Sequence, residues 1–220
     1  MQLTEDQITD HLRADPQFFE RHASLLTEIY LPSPHGGGTI SLAERQQLAQ
    51  RDKIRVLEAK LAELIQFGEQ NDVIGEKVHR LSLELLAAPS LDALLQATTR
   101  NLLEEFQVPH VALRLWAKPQ NADDDANLVF GPTDEALRAW VQTLLLPYCG
   151  TRPMADASHC FGETNAPLKS FALIALRGDQ GFGLLAMASE DERRFYPEMG
   201  TLYLKRIGEL LSGALLRYIQ

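Results

Sequence analysis

The chain has 220 residues, an apolar fraction of 45% and a formal net charge of -9, a composition that suits a soluble protein with one core and an appendage and argues against a broad footprint for nucleic acid. The longest apolar runs, "FALIAL" and "LLAMA", are too short to span a bilayer, and the acidic start "MQLTEDQITD" lacks the apolar core of a secretory signal. A cytoplasmic protein with no direct nucleic-acid or membrane contact is therefore expected, and two cysteines, Cys149 and Cys160, exclude a disulfide framework.

Residues 3 to 30 predict two short helices. In "ADPQFFERHASLL", Asp15 is the expected N-cap and Pro16 the first helical residue, with Phe18, Phe19, His22, Leu25 and Leu26 following at helical spacing. Arg13 and Arg21 face six acids in this segment, a poor balance for a DNA-reading helix-turn-helix, so a small helical cap is expected. Residues 31 to 40, "LPSPHGGGTI", form a Pro/Gly loop. Its glycines lack the lysine of a phosphate-binding loop. They match the "HGGG" oxyanion loop of some esterases, but the chain has no G-x-S-x-G nucleophile elbow. Ser41 and Glu44 instead make the capping box S-x-x-E of the next helix, which assigns the loop to hinge and cap.

No proline interrupts residues 41 to 88, and a helix of that length extends ~70 Å. Ile54, Leu57, Leu61 and Leu64 follow 3-4-3 spacing, and Asn71, Ile74, Val78, Leu81 and Leu85 resume it beyond a three-residue step at Phe67. The stripe suits a coiled-coil seam with a second chain, with Asn71 setting register; packing on the chain's own domain is the other arrangement that fits. A homodimer through this stem is expected.

From residue 90 the pattern changes. Residues 89 to 106 predict an amphipathic helix capped by Ser90, "HVALRLW" (110–116) a strand, "ANLVFG" (126–131) a second strand, and 133–145 a helix begun by Thr133. Residues 146 to 167 read as loop with a short strand near Cys160. "SFALIALRGDQGFGLLAMASE" predicts a hairpin turning at "GDQG", and a terminal helix carries Leu202, Ile207, Leu210, Leu211 and Leu215. The fold class is α+β with an antiparallel sheet. Three parts are expected: 1–40 as helical segment and glycine loop, 41–89 as stem, and 90–220 as sheet domain.

Catalytic constellations are thin. The histidines His11, His22, His35, His79, His110 and His159 show no metal-ligand spacing, the cysteines form no CxxC pair, and "DDD" (123–125) reads as a solvated turn. No metal and no catalytic residue is assigned, and no cofactor is identified. Arg114 stands out. Alternation places His110, Ala112, Arg114 and Trp116 on one strand face and Val111, Leu113 and Leu115 on the other. An arginine among apolar strand residues needs a partner when buried: a ligand anion, a carboxylate of the protein, or solvent at a sheet edge.

"SFALIAL", "RGDQG", "FGLLAMAS", "RRF" and the long terminal helix resemble the closing pattern of GAF domains. "DPQFFERH", "LPSPHGGGTISLAERQ" and "VHRLSLELL" resemble the bacterial DUF484 family, and that likeness covers nearly the whole chain. The resemblance implies a GAF-like fold with no established activity. It also implies a link to a site-specific tyrosine recombinase, whose genes often neighbour those of the family. In GAF-like folds the ligand lies between the sheet and the connecting segment, here about residues 133 to 168. By that resemblance Arg114, Trp116, Trp140, Cys160 and Phe161 would line a small-molecule pocket. Two family signatures are incomplete. Phe195 matches the aromatic of the cyclic-nucleotide motif without its Asn-Lys pair or its Asp. His159–Cys160 reverses the Cys-His of bilin-binding relatives. The function expected is that of a non-catalytic regulatory or scaffold protein acting through dimerisation and a protein partner; the alternative is a small-molecule sensor.

Overall fold

A computed structural model describes residues 3–34, 36–162 and 167–220. His35 of the glycine loop and residues 163–166 of the connecting segment lie outside the described residues. The chain divides into two compact units, Met1–Glu69 and Gln70–Gln220. The division falls inside one long helix, α4 (Leu42–Ala87).

The first unit is built from local interactions. Helix α1 (Glu5–Ala14) begins with a capping box between Thr4 and Gln7. The expected second helix is two short turns, α2 (Phe18–Arg21) and α3 (Leu25–Glu28). Asp15 closes α1 instead of opening α2, whose N-cap is Gln17. Asp15 accepts a hydrogen bond from Arg21, and this holds its carboxyl below the usual range. Strands β1 (Tyr30–Pro32) and β2 (Thr39–Ser41) pair antiparallel around the glycines. Gly36, Gly37 and Gly38 all have positive φ (78°, 89° and 127°), which L-residues with a side chain rarely adopt. The loop expected from sequence is thus the turn of a β-hairpin.

The hairpin runs straight into α4. Ser41 Oγ accepts from the Glu44 amide at 3.2 Å while the Glu44 carboxylate accepts from the Ser41 amide at 2.9 Å. This is the capping box read from sequence. Ser41 is the only buried residue among the described residues of this unit.

The second unit holds a four-stranded antiparallel sheet in the order β3 (His110–Leu115), β6 (Gly181–Ser189), β5 (Ser170–Arg177), β4 (Tyr148–Gly150). It is covered on both faces. One face, carrying Leu113, Leu115, Ile174, Leu185 and Met187, packs against the end of α4 and against α5 (Leu91–Glu104) and α7 (Leu202–Leu215). Gly208 lets α7 lie close to the sheet, since a Cβ there would come within 2.4 Å of Ile174. The other face, carrying Ala112, Leu173, Leu184 and Ala186, is covered by α6 (Glu135–Thr143) and a 3₁₀ turn at Ser158–Phe161. Arg217 and Tyr218 donate to the carbonyls of Leu85 and Ala88, closing the C-terminal end of α4.

The α+β class, the hairpin 170–189 and the cap at Ser90 match the expectations. Three local expectations are corrected. Residues 126–131 form no strand: Asn121 and Asn127 each cap a 3₁₀ turn, because their side chains accept from the amides two residues on. The "DDD" stretch lies in the first of these turns, in keeping with the turn expected there. The short strand lies at Cys149, not Cys160. Helix α6 is capped by Asp134 instead of Thr133.

The seam expected along α4 is also corrected. Leu81 is 0% exposed, and Val78 and Leu85 are buried with it in the core of their own unit; Ile74 packs against that core. Residues enclosed in this way have no surface left to offer a second chain.

Candidate functional site

The five residues expected to line a pocket come together on the α6 side of the sheet. Trp116, Trp140 and Phe161 pack around a cluster that includes buried Cys160, Leu137, Val141 and Leu184. Trp116 donates its ring N–H to the Gly181 carbonyl at 2.7 Å and lies under the Arg138 guanidinium, 5.4 Å from the ring centre. Trp140 meets Tyr148 edge to face at 5.3 Å. Phe161 packs near His110 and Phe171, each 6.5 Å away between ring centres. The aromatics therefore have partners within the chain.

Arg114 meets no carboxylate among the described residues, and although β3 is an outer strand, its guanidinium is turned to backbone. Its Nη2 donates to the Cys160 carbonyl at 2.7 Å and its Nη1 to the Leu113 carbonyl at 3.0 Å. Strand β3 and the 3₁₀ turn are tied together in this way, a use of guanidinium that residue spacing does not signal. His110 sits beside this cluster. Its buried Nε2 is 3.5 Å from Glu190 Oε1 but makes no hydrogen bond.

Thiol chemistry is suppressed here. Burial pushes the Cys149 thiol up to about 11, and it also raises Cys160, against the lowering effect of Arg114. Burial thus favours the protonated thiol of Cys149 over the thiolate.

Sequence reasoning missed Arg177. Its Nη2 donates to the carbonyls of Val141, Gln142 and Leu144 at 3.2, 2.6 and 2.8 Å, satisfying the open end of α6. Beside it lies a surface cavity of about 380 Å³ bounded by Leu144, Leu146, Pro147, Ile174 and Leu216. The exposed run "LLLP" was the available signal. Lys205 and Glu209 stand at its rim, 3.8 Å apart.

The residues of α4 divide in two. Ile54, Leu57, Leu61 and Leu64 are between 52% and 65% exposed, and Val56, Ile65 and Phe67 are similarly open. Asn71 lends its backbone carbonyl to the Tyr203 hydroxyl at 2.8 Å. Among the described residues no helix is long and apolar enough to cross a membrane, and no three His, Cys, Asp or Glu side chains gather as a metal site would require.

The family model for DUF484, described as a protein of unknown function, matches residues 1–220. The chain belongs to the DUF484 family. It is similar to the uncharacterized protein YigA of Salmonella typhimurium and to its counterpart in Escherichia coli K12. Each is 26% identical over 230 residues, covering 100% of this chain and 94% of the relative. Among solved structures, the GAF domain of the potassium sensor histidine kinase KdpD from Escherichia coli is similar at a TM-score of 0.41 and 15% identity. That match covers 65% of the DUF484 chain and 93% of the KdpD chain.

Proposed function

We propose that this DUF484 chain is a non-catalytic regulatory or scaffold protein that works as a homodimer and presents itself to a protein partner. The observation that carries the reading is the half-exposed stripe Ile54, Leu57, Leu61 and Leu64 on a continuous helix. Burying such a side chain fully is worth roughly 1.5–3 kcal/mol, so a pair of stripes has much to gain from being covered. The lack of any buried apolar residue among the described residues of the first unit supports the same reading, because a segment of this size without a core of its own usually needs association.

The partner class implied by the family resemblance, a site-specific tyrosine recombinase system, belongs to this proposal. Co-purification of a recombinase with the full chain is the outcome expected. The sensor alternative is less well supported, since Arg114 already donates to two backbone carbonyls and the aromatics around it pack on one another.

Sedimentation tests the dimer. Wild-type protein should run as a dimer at micromolar concentration, and Leu57→Glu/Leu61→Glu as a monomer with unchanged tryptophan fluorescence. A monomeric wild type at that concentration overturns the reading.

A further inference from the structure

We infer that the exposed half of α4 pairs with the same half of a second copy of this chain in parallel and in register. The inference rests on the pairing proposed above and adds its direction. The stripe fills successive core positions of a heptad, with Ile54 and Leu61 at a and Leu57 and Leu64 at d. Ile54 at a with leucine at d favours two strands, while Leu61 at the other a position makes no such choice. Lys53 and Lys60 then fall at g, and Glu58 and Ile65 at e. Among the described residues, Lys53, Glu58 and Lys60 form no ion pair within the chain.

Direction follows from these flanking residues. In a parallel, in-register pair each g residue faces the e residue of the next heptad on the other helix. Lys53 of each copy then meets Glu58 of the other, giving opposite charges on both flanks. Lys60 lies along Ile65 and covers it with its methylene stem.

An antiparallel pair covers all four apolar layers only by setting Ile54 against Leu64 and Leu57 against Leu61. That register brings Lys60 against the second copy's Lys60, and Glu58 against the second copy's Glu58. Like charges then flank both sides. Sliding by one heptad avoids part of this repulsion, but two of the four apolar residues then face Gln47 and Gln50, or Gly68 and Asn71. The parallel register alone covers every layer and matches the charges.

A cysteine placed at an a position reads the direction. Full-length Leu61→Cys, confirmed as a dimer by sedimentation, is oxidised mildly and run without reductant. The native cysteines are buried, so the wild type supplies the blank. Leu61→Cys chains should cross-link to one another. A mixture with Leu57→Cys chains of different mass should give no mixed product beyond the level of the blank. Ile54→Cys serves the same readout where Leu61→Cys weakens the pair. A sedimenting dimer that cross-links only between a Leu57→Cys chain and a Leu61→Cys chain overturns the direction and leaves the dimer standing, whereas a monomeric wild type overturns both.

The charges give a second readout. Lys53→Glu should raise the dimer dissociation constant about fivefold, and adding Glu58→Lys should restore it to within about twofold. A dissociation constant unmoved by Lys53→Glu also overturns the parallel register.

Discussion

The two halves of α4 carry apolar residues at the same spacing and end in opposite surroundings. Beyond residue 70, Val78, Leu81 and Leu85 are enclosed by the sheet domain. Before it, Ile54, Leu57, Leu61 and Leu64 stand open to solvent. Periodicity says that a helix has an apolar face; it does not say who covers the face. What separates the halves is the presence of other apolar elements in the same unit. The second unit supplies a sheet, α5 and α7, while the first has α1 with no buried residue, two short turns and one small hairpin.

Paired truncations probe this contrast most strongly. Leu81→Ala should destabilise the second unit by about 2–5 kcal/mol, the cost of a cavity in a closed core. Denaturant titration reports it through Trp116 and Trp140, both in that unit. Leu61→Ala should leave the same tryptophan transition within about 0.5 kcal/mol of wild type. Equal losses in the two variants would break the comparison.

A smaller effect sharpens the picture of the second unit as closed. Arg114→Ala removes the bond to the Cys160 carbonyl and should cost roughly 1.5–3 kcal/mol, the value for a hydrogen bond made by a charged donor. A melting temperature equal to that of wild type would mean that the guanidinium is held in reserve for something else, and a metabolite screen on both proteins would then be the measurement to make.

In the first unit, stability rests on caps. Ser41→Ala should cost about 0.5–2 kcal/mol, seen as earlier loss of helical circular dichroism. The smallest effect is that of acid on the same box. Hydrogen bonds from Ser41 hold the Glu44 carboxyl below the usual glutamate range. Its contribution is therefore complete above the unfolded value and is lost as pH falls through the lower folded one. Helix signal from the first unit should weaken as pH falls below the ordinary glutamate range, and less so in Glu44→Gln.

Regular elements were legible in the sequence because each advertises itself within a few residues. Ser41 and Glu44, Ser90, and the turn between Arg177 and Gly181 all act locally, and the structure has them as read. Strand alternation put Arg114 and Trp116 on the face that α6 covers, whereas Trp140, Cys160 and Phe161 were set beside them by the family resemblance alone. The misses share a cause. Residues 126–131 have strand-like composition, but Asn121 and Asn127 offer their side chains to nearby amides and win the backbone for 3₁₀ turns. The partners of Arg114 and Arg177 are carbonyls, which every residue carries, so no side-chain pattern marks them. The division of the α4 stripe depended on contacts far apart in sequence, such as Leu81 with the elements around α7, and one helix period cannot encode those.

The Arg177 arrangement has a mechanical consequence. A single nitrogen, with two N–H groups to share, faces three carbonyls at the end of α6. The end of α6 is riveted to strand β5 at one point. Because the three bonds meet at one nitrogen, sliding α6 along β5 would break all of them together, so this end of the helix is let go as a unit or not at all.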